Sequence, residues 1–356
     1  MATLLVVILA LSAPELRPSP DRGAAPRDHV NIPAVLARVE ERAATRTSDG
    51  LRGAAAEILA ALTITEDDSR LLAEAAEIHH LIAFYEIDDP LTANAAAEDL
   101  AERALQRDPT LRQAWAVLAS VRLDRDWDLA GAARDFRAAL RGEPDDVLAR
   151  HWTAWWLLAA GRTGEAAATV ANAAKLAPLS PAVITARATF SYFAGDYRGA
   201  ERDAVAALVI TPDGYRPHLR LGVLHTVRGE ETKAIAHLQR AHELAPDVPE
   251  TIATLGHASA VFGRRLQAEA YLRMLDERSS AGERLGYHRA MVLHGLGRGD
   301  EAVEALLSAR RHGALSLGLL RAEPRIAALR RDSRIARLID AAAVTAQPTF
   351  FPDRPQ

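Results

Sequence analysis

Residues 126–161 read DWDLAGAARDFRAALRGEPDDVLARHWTAWWLLAAG, and the skeleton of this stretch returns four times further down the chain. Ala132 recurs as Ala166, Ala200, Ala234, Ala268 and Ala302, each 34 residues beyond the last. In phase with it run Gly161, Gly195, Gly229, Gly263 and Gly297, and also Pro144, Pro178, Pro212 and Pro246, with Pro109 standing 35 residues before the first proline. A fourth ladder is of small residues: Ala154, Ala188, Gly222, Gly256 and Ala290. Each has a mechanical reading. The two ladders of small residues mark where paired helices cross, because only a small side chain lets the backbones approach. Glycine supplies the positive φ that ends a helix without a Cβ clash. Proline removes a donor and restricts the residue before it, so it closes the second helix. The chain therefore reads as stacked helical hairpins.

A period of 34 with these residue types identifies the array as similar to tetratricopeptide repeats (TPR). The fold this implies is all-α: a right-handed superhelical solenoid of antiparallel helical hairpins. Asp145, Asp213 and Asp247 each follow a ladder proline and are expected to cap the next helix.

Outward from the array, the hairpins are expected at about 112–144, 147–178, 181–212, 215–246, 249–278 and 283–312. A degenerate hairpin precedes them, its first helix starting with acidic residues at Thr65 to Ser69 and its second running from Leu91 to Arg107. The array thus spans 65–312 with about seven hairpins. One extra residue near Leu123 to Trp127 accounts for the 35-residue step. Residues 30–64 form an N-terminal helical cap, broken at Asp49-Gly50; 313–340 form C-terminal capping helices, carrying the echo Glu323-Pro-Arg and Asp332-Ser-Arg; 341–356 are a frayed tail. Residues 14–29 are a proline-rich linker. Ahead of it, Leu4 to Leu11 is an unbroken apolar run followed by Ser12, Ala13 and Pro14. It is far shorter than the roughly 20 residues of a membrane span and matches the apolar core of a signal peptide. Residues 1–13 are thus a signal peptide or membrane tether, which places the protein in the periplasm, exported or at a membrane; the alternative is the cytoplasm.

Composition removes several functional classes. Lys+Arg 43 against Asp+Glu 47 gives a formal charge of −4, which is no basic footprint for nucleic acid. The absence of cysteine excludes disulfides, thiol catalysis and cysteine-ligated metal. No Gly-x-Ser-x-Gly elbow, His-Glu-x-x-His pair or phosphate loop is present. No cofactor or metal is expected, and the protein is read as non-enzymatic. Of its histidines, His257 and His294 fall on the inner face of neighbouring hairpins, within possible reach of each other.

Asp126-Trp-Asp-Leu-Ala-Gly-Ala-Ala-Arg-Asp-Phe, Ala149-Arg-His-Trp, Trp155-Trp-Leu-Leu-Ala-Ala-Gly-Arg and the terminal echo carry a narrower resemblance. Over about residues 70–340 the chain resembles the C-terminal repeat region of bacterial membrane-bound winged-helix transcriptional activators and related cyclase and kinase receptors. Those begin with an output domain, whereas here the apolar run stands at residue 4. The resemblance implies a sensory or regulatory module acting through a separate output protein.

In such repeats the first helix of every hairpin lines the concave side. Its inward positions here are His151, Trp155 and Leu158; Thr185, Thr189 and Tyr192; Arg216, Leu219 and Val223; Glu250 and His257; then Tyr287, Met291 and His294. The chaperone-adaptor relatives use Lys and Asn there to clamp a C-terminal carboxylate, and neither residue occurs at these positions. The main expectation is a scaffold that binds a protein or peptide along this groove, with Trp155 as an aromatic anchor and Trp152 and Trp156 as packing between repeats.

Overall fold

Stacked in chain order, the helices pair as the ladders require. The computed structural model describes residues 30–65, 68–280, 285–311, 316–342 and 350–351; the expected leader and linker lie outside them. Helices α1 (Ile32–Ala44) and α2 (Ser48–Thr65) form the first hairpin, and α3 (Ser69–Phe84) and α4 (Pro90–Arg107) the second. Then come α5 (Arg112–Val121) with α6 (Leu129–Ala139), α7 (Val147–Ala159) with α8 (Thr163–Leu176), and α9 (Pro181–Phe193) with α10 (Tyr197–Ile210). The last three pairs are α11 (Tyr215–Val227) with α12 (Glu231–Leu244), α13 (Pro249–Val261) with α14 (Arg265–Ser280), and α15 (Gly286–Gly295) with α16 (Gly299–Arg311). Helix α17 (Leu317–Ala322), a 3-10 helix (Pro324–Arg331) and α18 (Ser333–Ala341) follow. The fold is all-α, with no strand among the described residues. None of the described helices is long and apolar enough to cross a membrane.

Every member of the Ala132 ladder is 0% exposed. At Gly222 an added Cβ would stand 2.4 Å from the Leu238 side chain and 3.2 Å from the Ala234 carbonyl, which is why the crossing there takes no larger residue. The turn glycines hold φ between 73° at Gly229 and 81° at Gly195, the left-handed region. Ala200→Leu is expected to overpack one crossing and cost about 1–3 kcal/mol. Repeat stability is a sum of local and neighbour terms, so hydrogen exchange should speed up mainly in α9 to α12. A uniform response, or none, would contradict this register.

Local departures from expectation have local causes. Asp49 and Gly50 lie in the first turn of α2, and the break falls at Thr45 to Thr47. Asp68 caps α3 from outside, its carboxylate accepting from the N–H groups of Arg70 and Leu71. Asp145, Asp213 and Asp247 are not caps. The capping position is one residue later, where Asp146 accepts from Ala149 N at 2.8 Å, while Gly214 and Val248 have no side chain to offer. Asp145 instead pairs with Arg150 at 2.7 Å and Asp213 with Arg240 at 2.8 Å. The extra residue of the 35-residue step is absorbed in a π-helical turn, Arg122–Asp126, the usual way a helix takes up one insertion.

That turn is one of three with a shared property. Where the later hairpins have glycine at positive φ, the first three have Arg46 at 55°, Glu86 at 52° and Trp127 at 58°. Non-glycine residues there are strained. Each of the three sits at a contact with the far end of the array. The Arg46 carbonyl accepts from the Tyr215 hydroxyl at 3.1 Å, and the Glu86 carboxylate meets His288 Nδ1 at 2.9 Å. The Arg310 guanidinium lies 4.5 Å over the Trp127 ring and donates to the Arg125 carbonyl at 3.2 Å. The superhelix therefore curls until its early turns touch its last hairpins, and the concave face becomes an interior.

The C-terminal segment enters that interior. α17 packs on α7 in the fourth hairpin, and a Cβ on Gly318 would already touch Leu158 at 3.4 Å. The 3-10 helix and α18 rest on α16, closer to the expected capping role. The tail is not frayed throughout: Phe350 is buried, its ring 4.9 Å from Trp156 and 6.4 Å from Phe136, so it packs on the same aromatic cluster.

Candidate functional site

Inside the curl a cavity of about 570 Å³ remains. Its walls come from five elements far apart in sequence: the α1–α2 turn, the end of α3, and the first helices of three consecutive hairpins, α7, α9 and α11. Apolar lining dominates. Phe84 stands edge-on to Trp152 at 5.5 Å and to Trp155 at 5.2 Å, and Trp155 to Phe190 at 5.1 Å. Such edge-to-face rings lock one another's orientation, so the aromatic wall is preformed. His80 supports it from behind, its ring 4.7 Å from Trp152 and its Nδ1 3.2 Å from Asn94. Burial lowers the His80 pKa to about 4.

Of the residues expected on the concave face, His151, Trp155, Thr185, Thr189 and Arg216 do converge on this cavity. Glu250, Tyr287 and Met291 line a smaller adjoining recess of about 70 Å³, together with Glu323 and Arg325 from the C-terminal segment. The rest are not open to a partner. Leu158 is covered by α17, and Tyr192 donates its hydroxyl to Glu323 at 2.6 Å. Leu219 packs with Ile235, Leu238 and Leu255 between hairpins, and Val223 is buried in the main core. His257 is buried and directs Nδ1 to the Met291 carbonyl at 3.0 Å, and His294 is half-buried. The long open groove is thus reduced to a cavity and its adjoining recess, because curling and the C-terminal segment fill the remainder.

Positive charge gathers on one side. The Arg216 guanidinium lies 4.8 Å over the Tyr85 ring. Arg220, behind it, stacks 4.7 Å over Tyr192 and donates to the Thr189 hydroxyl at 3.3 Å. Burial, then the charges of Arg46 and Arg216, press the His151 pKa down to about 3, so this ring is neutral at ordinary pH. Opposite them, Glu74 and Glu77 share the Gln113 amide at 2.8 and 2.7 Å. Burial and then the neighbouring Glu77 charge raise the Glu74 pKa to about 7. No group of three or more His, Asp or Glu able to hold a metal occurs among the described residues.

Sequence reasoning missed Phe84, Tyr85, Arg46 and Tyr215 as lining residues. The first three lie in hairpins without the ladder pattern, and only ring closure brings them to α11. Trp152, expected between repeats, also faces the cavity. A second cluster escaped notice: His218 and His237 meet Nδ1 to Nδ1 at 3.0 Å, and His225 stacks on His237 at 5.5 Å.

No family model matches the chain, and no curated protein does. Solved structures do. Cut9 in the APC/C Cut9–Hcn1 hetero-tetramer is 16% identical over 88% of this chain and 64% of that one, with a TM-score of 0.56. The human IFIT1 dimer with m7Gppp-AAAA is 17% identical over 77% of this chain and 70% of that one, TM-score 0.53. A tetratricopeptide repeat protein from Parabacteroides merdae is 15% identical over 75% and 98%, at a TM-score of 0.47. At these identities the likeness is one of architecture: the chain has the all-α helical-repeat fold of the TPR solenoids.

Proposed function

We propose that the protein is a non-catalytic binding module that takes an apolar segment of a protein partner into the cavity at its concave centre. The observation that carries this reading is the preformed aromatic cavity of about 570 Å³, a size typical of pockets that hold drug-sized ligands. Aromatic anchors seated in such pockets dominate interface energetics. Nucleic acid is not the proposed partner, since the chain carries a formal charge of −4. The apolar run at Leu4 to Leu11 favours an exported or membrane-tethered protein. Mass spectrometry of protein from its host should then find a terminus near Pro14, or an intact one at the membrane. An intact terminus in a cytoplasmic fraction would remove that placement.

Trp155 is a poor probe of binding, because it is 6% exposed and wedged between Phe84 and Phe190. Ala186→Phe is better: its side chain lines the cavity, so a ring there enters empty space. A library of displayed short peptides is expected to yield sequences with aromatic or aliphatic anchors for the wild type. The variant should bind those peptides at least tenfold more weakly, about 1.4 kcal/mol, with an unchanged melting temperature. Equal binding by both proteins, or no enrichment of any peptide, would overturn the reading.

A second reading, a sensory module with a separate output protein, is favoured by the closure contacts. Tyr215 on the cavity wall holds the Arg46 carbonyl, and Arg216 stacks on Tyr85 beside the Glu86–His288 pair. An occupant of the cavity would therefore act directly on the contacts that hold the two ends together.

A further inference from the structure

The unpartnered polar atoms of the cavity are all of one kind. Trp152 and Trp155 are 3% and 6% exposed, and the indole N–H of each is buried with no acceptor. Arg216 Nη1 is buried and unpartnered in the same way, and Arg216 forms no ion pair among the described residues. All three side chains line the cavity. Arg220, which is 7% exposed and lines the adjoining recess, adds two more donors without acceptors, Nε and Nη1. No side-chain acceptor on the cavity wall is buried and unpartnered. Buried donors without acceptors are costly and rare in native proteins, and a set of one sign means that the missing partner brings lone pairs.

The balance of charge says more. The acidic groups on the wall are already engaged or lie at its mouth: Glu77 accepts from Gln113 and Asp213 pairs with Arg240. Glu41, on the exposed first hairpin, faces the same opening. Arg216 has instead the faces of Tyr85 and Tyr215, at 4.8 and 6.0 Å, and the charge of Glu250 across the adjoining recess, but no carboxylate in ion-pair contact. Arg216 and Trp155 line both the cavity and the adjoining recess, so these donors stand where the two meet, with the Phe84 ring beside them.

We propose that the cavity is a receptor site for a small organic acid, its carboxylate held by Arg216 and the indole N–H of Trp155 and its apolar body lodged against Phe84, Trp152 and Phe190. This rests on the cavity being the binding site, as above, and on the sensory reading of it: the occupant is a small acid in place of a partner's segment. Guanidinium suits the task because its planar fork matches a carboxylate, and few waters need be stripped from it.

The test uses the full chain, with decanoate and decanol as probes below their self-association concentrations, read by calorimetry and by the fluorescence of Trp152 and Trp155. Decanoate is expected to saturate one site and to bind at least tenfold more tightly than decanol. Arg216→Met should remove that difference while leaving decanol binding unchanged, and Arg216→Lys should restore part of it. Equal binding of both probes, binding of neither, or decanoate binding unaltered in Arg216→Met would overturn the assignment. A peptide with a free C-terminus and its amidated twin distinguish the two sources of a carboxylate. A site that takes the free peptide but not decanoate belongs to a chain end, not a small acid. If decanoate fails while Ala186→Phe still loses its selected peptides, only this inference falls. If decanoate binds and peptide selection is untouched by Ala186→Phe, only the protein-partner reading falls.

Discussion

Glu323→Ala is expected to destabilise the protein by about 3–5 kcal/mol, the range for stranding one member of a buried ion pair. Glu323 is 1% exposed, pairs with Arg325 at 2.9 Å and accepts the Tyr192 hydroxyl at 2.6 Å. Its loss leaves the Arg325 guanidinium and the Tyr192 hydroxyl buried without partners. Burial alone would raise the pKa of Glu323, but Arg325, Tyr192 and the Arg325 backbone N–H outweigh it and hold the carboxyl at about 2. A carboxyl lowered from the ordinary 4.5 contributes stability that is complete above 4.5 and is lost as pH falls through about 2. That increment is on the order of 3 kcal/mol. Urea unfolding at pH 7 and at pH 3 checks both statements: the variant should be much weaker than wild type at pH 7, and the gap should narrow at pH 3. A variant within 1 kcal/mol of wild type at pH 7 would show that this pair does not fasten the C-terminal segment to α9.

Trp156→Ala should be comparably damaging, at about 3–5 kcal/mol for a large aromatic truncated in a core. Trp156 is 0% exposed, donates its indole N–H to the Leu129 carbonyl at 2.8 Å and meets Phe350. The truncation opens a void and removes the second hydrogen bond to a carbonyl in the first turn of α6, which still accepts along its own helix. Because the array is a chain of neighbour contacts, the loss should appear as faster hydrogen exchange in α5 to α8, with α13 to α16 little changed. Trp156→Phe, which fills most of the space but cannot donate, should cost about half as much. A Trp156→Ala protein with an unchanged unfolding midpoint would contradict the packing of α7 on α6 and on the tail.

Much of the molecule was legible from its residues. Crossing points need small side chains and turns need positive φ, so Ala132, Gly161 and their repeats declared the hairpins from α5 to α16 with boundaries close to those observed. The 35-residue step declared one extra residue near Leu123, and the structure shows that a π-helical turn takes it up. Capping was misplaced by one position, because Pro144-Asp145-Asp146 offers two acids and the ladder marks only the first. The inward face was also legible, since helical spacing alone puts Trp155, Thr189 and Arg216 on one side of their helices.

What lay beyond the sequence was whether that face stays open. The 34-residue period is local: it specifies how each hairpin sits on the next, and so the fold class, the helix boundaries and the inward residues. Closure depends on contacts between positions with no shared pattern, such as Arg46 with Tyr215, Glu86 with His288 and Tyr192 with Glu323. Small rotations per repeat accumulate over the array, and only their sum decides which distant side chains meet. The periodic sequence by itself determined a curved helical solenoid; the tertiary structure decided that its groove narrows to an aromatic cavity with Arg216 on its wall.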